Sequence, residues 1–172
     1  EKQIEFFSKN GAIFLKGYFT DWIEVLKSGI EKLIDNPSPR ERSYTPKDGT
    51  APFFQDLCNW QRIPEFEKFI FNSDIGEVAS KLMQSNVSRF FHDHVLVKEP
   101  GSSIVTPWHQ DQSYYCTSGK QTISFWIPLD NISLNNTLSC ISGSHNWGKL
   151  HKPKRFDGCL LYTSPSPRDT MS

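Results

Sequence analysis

The chain has 172 residues with 19 basic and 19 acidic side chains, a formal net charge of +0, and 37% hydrophobic and 13% aromatic residues. This balance argues against a nucleic-acid or anionic-membrane surface as the main partner, and no basic stripe offsets it. With no apolar run near the roughly 18 residues that a bilayer span requires, and no charged-then-apolar signal segment, a single soluble, cytoplasmic domain with a substantial core is expected.

The first residues read as a helix. Thr20 is placed to cap a second one, whose apolar positions Trp22, Leu26, Ile30 and Leu33 follow a helical period and which Asn36-Pro37-Ser38-Pro39 ends. A loop with few periodic features follows over residues 37–52. Pro64 fits the first turn of a short helix presenting Phe66, Phe69 and Ile70. Asp74 and Glu77 make a capping-box pattern ahead of Ile75, Val78, Ala79, Leu82 and Met83, which match a helical template.

From Val87 the period changes to two and β-branched residues accumulate. Strands are expected over residues 87–98, 104–108, 121–129 and 137–141, with turn chemistry at Pro100-Gly101, Ser118-Gly119, Asn135-Asn136 and Ser142-Gly143-Ser144. The first half therefore reads as helical and the second as β. Cys58, Cys116 and Cys140 lack C-x-x-C spacing, so neither a disulfide framework nor a zinc knuckle is indicated.

The chemistry is concentrated in Thr106-Pro107-Trp108-His109-Gln110-Asp111. Side chains two apart on an extended strand share a face, so His109 and Asp111 can act as one ligand pair. An imidazole with a carboxylate suits a borderline divalent ion, and a second His would complete the facial triad of a non-haem Fe(II) oxygenase. An isolated H-x-D triplet also fits an exposed polar loop or a hydrogen-bonded structural His.

The surrounding blocks add context. Arg89-Phe90-Phe91-His92-Asp93-His94-Val95-Leu96-Val97-Lys98-Glu99-Pro100-Gly101 precedes the triplet; Ile123-Ser124-Phe125-Trp126-Ile127-Pro128-Leu129-Asp130 and Gly143-Ser144-His145-Asn146-Trp147-Gly148 follow it. In this order and spacing the series resembles the phytanoyl-CoA dioxygenase-like family of Fe(II)/2-oxoglutarate oxygenases. The resemblance implies a mainly β fold with flanking helices (α+β), a double-stranded β-helix or cupin-like jelly roll. It implies His109 and Asp111 as iron ligands, with His94 and Trp126 bordering 2-oxoglutarate. It further implies Fe(II) as cofactor, 2-oxoglutarate and O2 as co-substrates, and hydroxylation of a small organic substrate, with release of succinate and CO2. The carboxylate of Asp111 favours hydroxylation over halogenation, for which an Ala or Gly there would open a coordination position.

In the family a distal His ligand follows the Gly-Ser-His block by several strands, trailed by an Arg that pairs with 2-oxoglutarate. Neither has a counterpart in the short stretch that remains here, so a jelly roll incomplete at its C-terminus is expected. The tail Cys159-Leu160-Leu161-Tyr162-Thr163-Ser164-Pro165-Ser166-Pro167-Arg168-Asp169 looks like a translated sequencing-library adapter. Residues 1–158 are accordingly expected to be the N-terminal and central part of one oxygenase domain, and 159–172 not native. Such a fragment, with two ligands and unpaired strand edges, should bind iron weakly and be inactive by itself.

The remaining histidines are weaker candidates. His92 and His94 are two apart and could offer a pair of imidazoles, or His94 could join His109 and Asp111 as a third ligand. His145 lies in a Gly-rich turn whose role in the family looks structural, and His151 sits among Lys149, Lys152, Lys154 and Arg155 as a solvated surface residue. A reading from another class is a non-catalytic jelly roll that binds a small ligand or a protein, with His109 and Asp111 merely hydrogen-bonded.

Overall fold

The computed structural model describes residues 1–151; Lys152, Lys154, Arg155 and the tail 159–172 lie outside the described residues. The elements are α1 (Lys2–Asn10), a 3-10 turn (Thr20–Trp22), α2 (Ile23–Asp35), β1 (Phe53–Leu57), α3 (Pro64–Asn72), α4 (Ile75–Leu82) and β2 (His94–Lys98). Short 3-10 turns follow at Asp111–Tyr114, Leu134–Asn136 and Ser144–Asn146.

Helix α2 follows its apolar period closely. Leu33 is 0% exposed and Leu26 is buried, while Trp22 and Ile30 pack against the same core. Full burial of one such Leu contributes about 1.5–3 kcal/mol. Thr20 does not cap the helix, because its hydroxyl turns back to donate to the Gly17 carbonyl within a 3-10 turn. Asn36 ends α2 as expected, its N–H donating to the Lys32 carbonyl.

Helix α3 starts with Pro64 in its first turn and buries Phe66 and Phe69 against α2. Phe69 meets Phe19 and Trp22 edge to face, at centroid separations of 5.3 and 5.5 Å. The close approach of the two helices requires Gly29, since a Cβ there would lie 2.6 Å from the Phe66 ring. Gly29→Ala should therefore lose up to about 2 kcal/mol: overpacking costs about 1–3 and helix propensity returns about 1. A lowered urea midpoint at unchanged slope is the expected observation.

Val78, Ala79 and Leu82 are the buried face of α4, as their spacing predicts. The capping box is not formed. Asp74 occupies the cap position without a side-chain bond, and the Ser73 hydroxyl accepts the Ile75 N–H at 3.3 Å instead.

The expectation of a mainly β chain is corrected by the sheet. Among the described residues it has two strands, β1 antiparallel to β2, with Phe53 opposite Lys98 and Leu57 opposite His94. Tyr44 extends it by one isolated bridge to Phe53. No strand forms over residues 104–108, 121–129 or 137–141, and the described residues close no barrel. The reason lies in the difference between an alternating side-chain pattern and a hydrogen-bonded ladder, which also needs a partner strand in register.

Residues 121–130 show the distinction well. Phe125, Ile127 and Leu129 are half-buried, and Ile127 and Leu129 pack on the helical core, whereas Ser124, Trp126 and Asp130 are exposed. Lys27 on α2 pairs with Asp130 at 3.2 Å. The segment is thus docked across the helices by alternate residues, without a ladder.

The loop from β1 into α3 is held by Asp93, the residue before β2. Cys58 adopts a left-handed φ of 57°, and its N–H donates to the Asp93 carbonyl at 3.0 Å. The Asp93 carboxylate accepts the N–H groups of Asn59 and Trp60 at 2.8 to 3.0 Å. Committed to this loop, Asp93 stands before the ladder, so the strand begins at His94 rather than at 87.

Candidate metal centre

His109 and Asp111 come together as their spacing predicts, though not on a ladder strand. Gln110 between them is extended (φ −119°, ψ 122°), and Asp111 opens the 3-10 turn Asp111–Tyr114. One extended residue suffices to turn both neighbours to the same side. His109 Nε2 lies 3.2 Å from Asp111 Oδ1. Two neighbouring ligands of one ion stand roughly 3 Å apart when each bond is about 2.1 Å, so the pair fits a shared divalent cation.

The other ring nitrogen fixes the tautomer. His109 Nδ1 is 2.8 Å from the Pro107 carbonyl, which can only accept, so Nδ1 carries the proton and Nε2 is the atom free to ligate. Without an ion, Nε2 meets the carboxylate best when it too is protonated. Accordingly the bond to Asp111 raises the His109 pKa against the opposing effect of burial, with the Pro107 carbonyl assisting. Asp111 is held below the ordinary carboxylate range, first by His109 and then by Ser124, with His94 a weaker charge influence.

These directions set two opposite pH trends. A raised histidine pKa stabilises the metal-free fold below the unfolded value near about 6.5 and loses that contribution as pH rises through the folded value. A depressed aspartate pKa contributes above about 3.9 and is lost as pH falls through its lowered value. The pair therefore supports the metal-free protein best between roughly pH 4 and 6.5. An ion must displace the His109 proton, so its affinity should rise about tenfold per pH unit until the raised His109 pKa is passed. A Co(II) titration across that range should show this slope, and a flat profile would contradict His109 as the ligand.

Gln110 points away from the pair and secures the downstream chain. Its amide donates to the Lys149 carbonyl at 3.1 Å and accepts the His151 N–H at 2.8 Å. Ser113 donates to the His151 carbonyl at 2.8 Å, so His151 is placed through its backbone behind the 3-10 turn. Tyr114 stands edge-on to the His109 ring at 5.8 Å.

The remaining histidines separate. His94 is at the first position of β2, where stripping of water by surrounding protein and the neighbouring His92 lower its pKa, opposed by Asp93 and Asp111. Among the described residues no three His, Cys, Asp or Glu side chains gather in a metal-holding group, so His94 does not complete a triad there. His92 instead stacks edge-on to Phe91 and Tyr115. His145 is structural: its Nε2 donates to the Ser8 carbonyl at 3.0 Å, and its ring fills the space where a side chain on Gly11 would stand. Gly11 ends α1 with a left-handed φ of 78°, and the Gly143 N–H reaches the Asn10 carbonyl at 2.8 Å. The Gly-Ser-His block thus docks on the end of α1.

Trp126 is 43% exposed and shares the outward face of its segment with Ser124. Ser124 lies 3.2 Å from the Tyr115 hydroxyl and helps to hold the Asp111 pKa down. Its two-residue spacing from Trp126 was the available signal for Ser124; Tyr115 had none.

With this geometry in place, the comparison with known sequences is specific. The phytanoyl-CoA dioxygenase (PhyH) family matches residues 7–162. The chain belongs to the phytanoyl-CoA dioxygenase family. A phytanoyl-CoA dioxygenase from Arabidopsis thaliana is 29% identical over 105 residues, covering 60% of this chain and 37% of that relative. The chain thus spans well under two thirds of that relative's length. No solved structure matches significantly. At family level, phytanoyl-CoA dioxygenases point to Fe(II)/2-oxoglutarate-type oxygenase chemistry on a jelly-roll scaffold. Three cysteines among the described residues are free, and no helix among them is long and apolar enough to cross a membrane.

Proposed function

We propose that the chain supplies the His109 and Asp111 ligands of an Fe(II)/2-oxoglutarate-dependent dioxygenase that hydroxylates a small organic substrate. The observation that carries this reading is the 3.2 Å approach of Nε2 to Oδ1 with the tautomer fixed by Pro107, within a family of this chemistry. When bound, Fe(II) with 2-oxoglutarate and O2 supplies an oxidative decarboxylation coupled to C–H hydroxylation. The chain's own residues do the positioning. His109 presents Nε2 because Nδ1–H is engaged, and Asp111 supplies the negative charge that offsets part of the ion's charge. His94, whose pKa its surroundings lower, and Trp126, on the outward face beside Ser124, are the proposed walls of the 2-oxoglutarate position. A cytoplasmic location goes with this reading, and the jelly roll is its proposed framework.

Anaerobic addition of 2-oxoglutarate to an Fe(II)-loaded longer protein that contains this segment tests the reading. A visible metal-to-ligand charge-transfer band that disappears in His109→Ala is expected. No band in the unsubstituted protein would favour a non-catalytic barrel.

A further inference from the structure

We propose that Gln110 is a positioning residue for the metal pair: its side-chain amide clasps the backbone at Lys149 and His151, and so holds the extended conformation that turns His109 and Asp111 to one side. The inference rests on the metal reading above. It accounts for two ligands sharing a face in a segment that no ladder supports.

Gln110 decides the pair's geometry because it stands between the two ligands. At φ −119° and ψ 122° it sends both neighbours to one side and its own side chain to the other. The backbone here belongs to no strand, so pairing with a neighbouring strand does not impose these angles.

The side chain supplies the constraint instead. Its Nε2 donates to the Lys149 carbonyl at 3.1 Å, and its Oε1 accepts the His151 N–H at 2.8 Å. A carbonyl only accepts and a backbone N–H only donates, so the partners demand one donor and one acceptor, which a primary amide offers side by side. Two bonds from one planar group fix its direction as well as its distance. Ser113 adds a third bond to the same stretch, donating its hydroxyl to the His151 carbonyl at 2.8 Å.

The backbone that Gln110 grasps is itself anchored. The Gly143 N–H donates to the Asn10 carbonyl at 2.8 Å, and His145 Nε2 lies 3.0 Å from the Ser8 carbonyl. Residues 143–151 are thus a strap with one end on α1 and the other on the turn that carries the ligands. Ligands keep their affinity only when supporting groups hold them to within about 0.5 Å, and the clasp is that support for this pair.

Gln110→Met, which keeps the volume and removes both bonds, and Gln110→Ala test the proposal. Gln110 is half-buried and lies outside the helical core, so both variants should keep the parent's urea midpoint. In the metal-free full chain, the three-bond NMR coupling between the amide and α protons of residue 110 should report an extended φ for the parent and averaging for both variants. Titration with Co(II) alone should show both weakened about 10-fold, the low end of what supporting groups are worth. Ser113→Ala, which leaves the amide clasp in place, should stay close to the parent. An extended coupling retained in Gln110→Met overturns the proposal. So does unchanged Co(II) affinity in that variant while Asp111→Ala loses the ion, and so does a urea midpoint that falls in both variants in step with affinity, which would assign Gln110 to the fold alone. Equal Co(II) binding by the parent and Asp111→Ala would instead remove the metal reading, and the positioning role of Gln110 with it.

Discussion

Asp111→Ala is expected to weaken a bound divalent ion by at least about 100-fold while leaving the metal-free fold within about 0.5 kcal/mol of the parent. The two halves of this result have separate causes. Loss of a group that merely orients a ligand reduces metal affinity about 10- to 100-fold, and loss of the ligand itself removes both a bond and a charge. The fold is indifferent because the carboxylate is half-exposed and its ion pair with His109 is solvent-screened, a class worth about 0–1 kcal/mol. His109 keeps its bond to the Pro107 carbonyl, so its ring stays in place with Nε2 unpartnered and its pKa falls back. Co(II) titration and a urea melt on one preparation separate the two effects. A large loss of stability with little change in affinity would make Asp111 a structural residue.

Asp56→Ala should have the largest effect on the fold, about 3 kcal/mol of unfolding free energy. Asp56 is 0% exposed on the core side of β1. Its carboxylate accepts the Ser38 N–H at 2.7 Å, the Ser38 hydroxyl at 2.5 Å and its neighbour Leu57's N–H at 2.8 Å. Ser38 is itself buried, so the variant leaves donors without water or protein partners. Burial pushes the Asp56 pKa up, yet the bonds from Ser38, Asn59 and Leu57 together bring it below its ordinary value.

A depressed aspartate pKa gives stability that is present above about pH 3.9 and lost as pH falls through the folded value. The gap between parent and Asp56→Ala should therefore be widest near neutrality and narrow in acid. Asp56→Asn should recover only part, since its amide NH2 would confront the Ser38 donors. Urea unfolding at neutral and acid pH checks both statements, and a gap that widens in acid would contradict them.

How far the sequence could be read depended on which interaction forms each element. Helix α2 was legible because burial alone shapes it: Leu26 and Leu33 face the core at the period their spacing dictates. Pro64 was equally plain, since a missing N–H costs nothing in a first helical turn. Strand β1 was hidden in what read only as the chain beyond a featureless loop. Its buried residues include Gln55 and Asp56, which break the apolar alternation, and their burial is made tolerable by Ser38 from a distant turn.

The opposite error came over residues 121–129, where a strand was expected from the alternation and the segment packs on the core by alternate residues without forming a ladder. The approach of His109 to Asp111 was legible for a related reason. The His109 and Asp111 pairing needs one extended residue, which a two-residue spacing encodes, and does not need a strand. Tyr115 had no such signal, because its 3.2 Å approach to Ser124 depends on how a later segment docks on the helical core.

The most direct test of the central claim is succinate release from 2-oxoglutarate in the presence of Fe(II) and O2, for a longer protein that contains this segment and for its Asp111→Ala variant. The account predicts Fe(II)-dependent succinate from the parent and at least about a 100-fold loss in the variant. Equal succinate from both would contradict the assignment of His109 and Asp111 as the metal pair.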